Sequence, residues 1–147
     1  MSSLLVVGVG NDLRGDDAAG LLAVRRLAAL GPSDIDVVEH AGDPAALAEA
    51  MSGRDEVVVI DAVSSGDEAG AVLELTAEAG VLRGPASSHG LGLGEALALV
   101  GLTGASPAVR VIGIAGRRFE LGAPPSPAVI RAAGAVAARL WEGRTCA

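Results

Sequence analysis

Three side chains in this sequence are candidates for chemistry: Asp17, Asp61 and His89. Asp17 is the second of two acids that follow the polar stretch Gly10-Asn11-Asp12-Leu13-Arg14-Gly15. Asp61 directly follows the apolar run Val57-Val58-Val59-Ile60. His89 lies within Ser87-Ser88-His89-Gly90-Leu91-Gly92. Two carboxylates and one imidazole offer oxygen and nitrogen donors, a set that suits a borderline divalent ion such as nickel or zinc. Three protein ligands leave coordination positions open for water or substrate. A metal held this way can polarise a scissile carbonyl or activate a water.

Each of these residues also has an ordinary structural use. Acids at a helix start cap it and complement its dipole. That use accounts for one of Asp16 and Asp17 better than for both, so Asp16 is read as the cap and Asp17 as the acid facing a crevice. A carboxylate beside buried strand residues is costly unless it is hydrogen-bonded or bound to a cation. Asp61 therefore either accepts backbone N–H groups at a loop start or holds a cation. A Ser-His hydrolase reading of Ser87, Ser88 and His89 is weak, because adjacent residues face each other poorly and no Gly-x-Ser-x-Gly elbow is present. His40, the other histidine, ends a predicted strand and could line the same crevice. Arg117-Arg118 could meet a substrate carboxylate, but a solvated strand end is the better explanation of the pair.

Other chemistries fit poorly. Gly8-Val9-Gly10-Asn11 follows a strand and precedes a helix, but position 13 is Leu where a dinucleotide fingerprint needs its third glycine. A phosphate-binding P-loop needs a lysine, and all 11 basic residues are Arg. The net charge of -7 disfavours nucleic acid, whose phosphates require clustered positive charge. The single cysteine, Cys146, cannot form an internal disulfide, and a chain end is a poor place for a catalytic thiol. No stretch approaches the roughly 18 uninterrupted apolar residues of a membrane span, and residues 3–9 are too short for a secretion signal. The chain reads as cytoplasmic and soluble.

The candidate residues must be positioned by regular elements, and the pattern supplies them. Residues 3–9 form a continuous apolar run that predicts a buried strand. A loop over 10–15 leads to a helix of about 17–30, which Gly31-Pro32 stops. Residues 35–39 predict a strand, and Asp43-Pro44 opens a helix to about Met51. Residues 56–60 predict a third buried strand ending at Asp61. A turn over 66–70 precedes residues 71–76, whose alternation reads as a half-exposed edge strand. Residues 79–90 read as irregular, 91–102 as a helix, 108–114 as the last strand, 122–127 as a Pro-rich loop and 128–142 as a closing helix. Half of the residues are hydrophobic but only 1% are aromatic, so the core must be aliphatic. Alternating strands and helices over 147 residues predict one α/β domain, a mostly parallel sheet with helices on both faces. Ligands in such sheets lie beyond the carboxyl ends of the strands, where strand order reverses. If the first and third strands are neighbours, the loops carrying Asp17 and Asp61 open into one crevice.

Four stretches resemble the hydrogenase maturation proteases, the endopeptidases that process the C-terminus of nickel-iron hydrogenase large subunits. They are Gly8-Val9-Gly10-Asn11-Asp12-Leu13-Arg14-Gly15-Asp16-Asp17 with Gly20, Val59-Ile60-Asp61-Ala62-Val63, Ser88-His89-Gly90-Leu91-Gly92-Leu93, and Val111-Ile112-Gly113-Ile114 with the Pro-containing loop. The resemblance implies a twisted sheet of about five strands flanked by helices. It implies that Asp17, Asp61 and His89 are the metal-binding and catalytic residues. It implies a hydrolase, catalogued as an aspartic-type endopeptidase, that cuts a short extension from the large-subunit precursor after nickel insertion. Nickel would be the recognition signal, carried by the substrate, and need not be a permanent cofactor. The same three ligands would also serve a chaperone that checks for nickel without cutting. Two features differ from the family pattern. Position 17 is Asp where relatives often have the longer Glu, and His40-Ala41-Gly42-Asp43-Pro44 stands where many relatives carry a Gly-Gly-Thr loop.

Overall fold

A computed structural model of the chain describes residues 4–78, 81–83, 90–102 and 107–145. His89 and Cys146 lie outside the described residues. The order of elements is β1 (Leu4–Val9), a 3-10 turn (Gly15–Ala18), α1 (Ala19–Ala29), β2 (Asp36–His40), α2 (Pro44–Met51), β3 (Glu56–Val63), β4 (Val72–Glu78), β5 (Val81–Arg83), α3 (Gly90–Leu102), β6 (Ala108–Ala115) and α4 (Pro127–Thr145). The expected α/β architecture is present. The strands form one sheet in the order β2-β1-β3-β6-β4-β5. β2, β1, β3 and β6 are parallel, and β4 is antiparallel to both β6 and β5.

The core is aliphatic and lies in two layers. One face of the sheet, with Val6, Val58, Ile60 and Ile112, packs on α1 and α4. The other, with Leu5, Val7, Val57, Val59 and Val111, packs on α2 and α3. Val57–Ile60 is buried throughout because both faces are covered, which is why the run has no polar alternation. Helix ends follow their sequence signals. The Asp43 carboxylate accepts the N–H of Ala46 at 3.0 Å, and Pro44 takes the first helical position. Gly31 adopts φ 72° just beyond α1 and ends it.

The structure corrects two boundaries and one strand position. β3 continues to Val63, so Asp61 lies within the strand and not at its end. Residues 81–83 form a short strand inside the segment expected to be irregular. β4 is not an edge strand, since β6 and β5 pair with its two sides. Its half-exposed pattern comes from incomplete cover. A cavity of about 840 Å³ opens beneath α4, lined by Val72, Glu74, Arg110, Ile112, Val136 and Leu140 among others. Alternation reports which faces are covered, not which edges are paired.

Candidate active site

The strand order reverses between β1 and β3. From β1 the chain passes by α1 to β2 on one side, and from α2 it returns to β3 on the other. The two strands are neighbours, with Gly8 opposite Ile60. Their carboxyl ends therefore flank the topological switch point, where α/β sheets place ligands.

Close backbone packing brings the start of α1 over this point. A Cβ on Gly20 would collide with the carbonyl oxygens of Ile60 and Val9, and one on Gly8 with the carbonyl of Gly20. A Cβ on Gly10 would collide with the Asp17 carbonyl. These glycines thus serve helix-to-strand contact, and the Asp17 carbonyl occupies the approach to Gly10 that a phosphate would need. Asn11 shapes the intervening loop: its Oδ1 accepts the N–H of Leu13 at 2.9 Å, and its own N–H donates to the Asp17 carbonyl at 3.3 Å.

Among the described residues, the buried charged side chains are Asp16, Asp17 and Asp61, with exposures of 0%, 5% and 2%. All three belong to the elements that meet at the switch point. Asp17 lies on the 3-10 turn, which packs against β3. Asp61 shares the sheet face of Val59 and Val63, the face covered by α2 and α3. One of its oxygens accepts the N–H of Ala62 at 2.8 Å. Its partner across β6 is Gly113, whose missing Cβ leaves room taken up by Val63; a Cβ there would come within 2.7 Å of Val63 Cγ1.

The structure thus places Asp17 and Asp61 at one edge of the fold, as expected. His89, the third expected ligand, immediately precedes α3 in sequence and falls outside the described residues. β5 and β6 run in the same direction, and the helix that connects them packs through Ala96 and Val100 on the sheet face that Asp61 shares. Among the described residues no group of three potential ligands forms a complete metal site.

Asp16 has a different role from the one expected. It makes no capping hydrogen bond to its own helix. Its carboxylate accepts the N–H groups of Arg117 at 2.9 Å, Arg118 at 3.0 Å and Ser126 at 2.6 Å, and the Ser126 hydroxyl at 2.9 Å. Its own N–H donates to the Arg118 carbonyl at 2.7 Å. Burial pushes this carboxyl up, but the converging donors outweigh burial and hold it below the usual carboxylate range. Gly116 is needed beside it, since a Cβ there would lie 2.6 Å from Asp16 Cβ. No local spacing signals this role, because every donor lies about a hundred positions away in the chain.

His40 and Arg117, two of the remaining candidates, engage backbone groups. His40 ends β2 opposite Val9, and its Nδ1 accepts the N–H of Gly42 at 2.9 Å. The Arg117 guanidinium donates to the carbonyls of Asp67 at 3.2 Å and Gly66 at 3.0 Å, so it braces the β3–β4 turn. Arg25, which the sequence did not single out, bridges Asp12 and Glu39 with four hydrogen bonds and ties the 10–14 loop to β2.

Comparisons with known proteins agree with this architecture. The sequence profile of the hydrogenase maturation proteases matches residues 22–139, a span that includes Asp61 and His89 and begins beyond Asp17. The chain is similar to the crystal structure of the NiFe hydrogenase maturation protease HycI from Thermococcus kodakarensis KOD1, at 28% identity and a TM-score of 0.77, over 95% of this chain and 90% of that one. It is also similar to the NiFe hydrogenase maturation protease HybD from Thermococcus kodakarensis, at 28% identity and a TM-score of 0.78, over 97% of this chain and 98% of that one. The hydrogenase maturating endopeptidase HybD from E. coli shares the fold, with 24% identity and a TM-score of 0.81 over 97% of this chain and 91% of that one. No curated protein sequence matches the chain. No helix among the described residues is long and apolar enough to cross a membrane. With most of its length matched by one family profile and its fold shared with that family's solved structures, this chain belongs to the hydrogenase maturation proteases.

Proposed function

We propose that this chain is a cytoplasmic endopeptidase that removes the C-terminal extension of a nickel-iron hydrogenase large-subunit precursor after nickel insertion. Nickel bound to the substrate is the signal, engaged by Asp17, Asp61 and His89. The observation that most supports this reading is the burial of Asp17 and Asp61 at the switch point of a chain of this family. Buried carboxylates are costly, and a cation arriving with the substrate offsets that cost. Two acids and an imidazole also match the donor preferences of nickel.

Engagement of the nickel-bearing segment positions the scissile bond in the crevice. One of the two acids then acts as general base and takes a proton from the attacking water. The water oxygen bonds to the scissile carbonyl carbon, and the peptide nitrogen leaves as an amine after gaining a proton. The chemistry is of the aspartic type, because the protein supplies carboxylates and no nucleophile of its own. The metal belongs to the substrate, so the protein needs no permanent cofactor.

The test is the intact mass of a nickel-loaded large-subunit precursor from the same source, incubated with the wild type, Asp17→Ala or His89→Ala. Loss of a short C-terminal peptide with the wild type alone supports the reading. Cleavage by His89→Ala at the wild-type rate would remove His89 from the site. An unchanged precursor mass with the wild type would favour a protein that checks for nickel without cutting.

A further inference from the structure

Two loops lie side by side next to Asp17. The N–H of Asp16 donates to the carbonyl of Arg118, and the N–H of Gly122 donates to the carbonyl of Leu13, each at 2.7 Å. Residues 13–16 therefore run antiparallel to residues 118–122, and the Asp16 carboxylate locks the pair from beneath. The paired loops carry Leu13 and Leu121, which are 64% and 68% exposed. Arg14 and Arg118 are exposed beside them, and neither forms an ion pair among the described residues. In a chain of net charge -7, the paired loops thus present two exposed leucines and two exposed arginines, with Glu120 also exposed, on segments that run directly into Asp17.

We infer that the ridge formed by Leu13, Arg14, Arg118 and Leu121 seats the C-terminal extension of the precursor, the segment that is cut away. This rests on the proposed function. There the buried acids and His89 engage the nickel-bearing side of the scissile bond. The departing side needs a separate seat, because catalysis requires the reacting bond to be held from both sides. The ridge fits a peptide tail in two respects. Exposed leucines on a preorganised surface gain by covering an apolar side chain. Every C-terminal tail also ends in a carboxylate, which a guanidinium on the same surface can bind. The expected occupant is therefore an apolar tail with at least one free carboxylate.

Two double variants test this, Leu13→Ser with Leu121→Ser and Arg14→Glu with Arg118→Glu, against a control of Leu30→Ser with Ile130→Ser on the distant helices. The probe is the nickel-loaded precursor, assayed for cleavage kinetics and equilibrium binding, alongside the processed large subunit. The inference expects both ridge variants to raise KM and Kd for the precursor roughly tenfold or more, with kcat within about twofold of wild type. Binding of the processed subunit and the control pair should be unaffected. Unchanged KM and Kd with an active wild type would overturn the inference. So would equal weakening for precursor and processed subunit, which would assign the ridge to the body of the partner. A fall in kcat alone would overturn it too, by assigning the ridge to the alignment of Asp17. A wild type that neither binds nor cuts the precursor would instead remove the proposed function on which the inference stands.

Discussion

Ser126 binds Asp16 twice across 110 positions of sequence, its N–H donating to one carboxylate oxygen at 2.6 Å and its hydroxyl to the other at 2.9 Å. With the amides of Arg117 and Arg118 on the same carboxylate, the β6–α4 loop is fastened to the turn that carries Asp17. Asp16→Ala leaves three backbone donors and a hydroxyl without their acceptor, so it is expected to cost about 3 kcal/mol or more. Ser126→Ala removes only the hydroxyl bond and should cost about 1 kcal/mol. Urea unfolding of the two variants checks the ratio. Similar losses for both would mean that the amides find other acceptors and that Asp16 does not organise the loop.

Gly20 is the contact between α1 and the ends of β1 and β3. An added methyl would meet the carbonyls of Ile60 and Val9, which are backbone atoms and cannot rotate away. Gly20→Ala is expected to lower stability by roughly 3 kcal/mol, the upper end of overpacking costs. It should also reduce activity in the protein that still folds, because the turn bearing Asp17 must lift. Gly101→Ala is the control, since nothing lies near a Cβ at that position of α3. Equal stability of the two variants would show that α1 yields without strain.

Much of this fold was legible because burial on both faces leaves a simple trace. Val57-Val58-Val59-Ile60 reads as a central strand in any frame, and Asp43-Pro44 marks a helix start by its own chemistry. The adjacency of β1 and β3 stood in the sequence only as a condition; the structure meets it and so brings Asp17 and Asp61 to one edge. The exact extent of β3 was not legible, because an Asp after four apolar residues looks like a strand end when it is in fact a buried member of the strand. The role of Asp16 was hidden for a different reason. A capping acid and an acid that gathers a distant loop look identical in local sequence. The Arg25 clamp was hidden in the same way, since Asp12 and Glu39 lie on two separate elements.

That clamp gives a pH signature. Hydrogen bonding to Arg25 holds the carboxyls of Asp12 and Glu39 below their ordinary values of 3.8 and 4.5. A depressed folded-state value means that the stabilisation is fully present above the ordinary range and is lost as pH falls through the lowered values. Both acids are about half exposed, so solvent screening keeps the contribution to under about 1 kcal/mol. Carboxyl chemical shifts followed by NMR should show both titrating below their usual positions, with Arg25→Ala moving them back up. Unchanged midpoints in that variant would mean that the clamp does not persist in solution.

Substitution of Asp61 tests whether stability and function can be separated. Its carboxylate is 2% exposed, and the N–H of Ala62 donates to one of its oxygens. Asn at this position keeps an acceptor for that N–H, and its neutral amide is less costly to bury than a charge. Asp61→Asn is therefore expected to melt no lower than the wild type, and removing the buried charge can raise stability by about 1 kcal/mol. Under the proposed chemistry the same change removes a nickel ligand and a possible general base, so release of the extension should fall by roughly 100-fold or more. Thermal unfolding and the mass of the precursor, measured on one preparation, provide the check. A site kept for catalysis at the expense of stability gives a protein that is as stable or more stable and no longer cuts. A variant that loses stability and activity together would instead assign Asp61 to the framework.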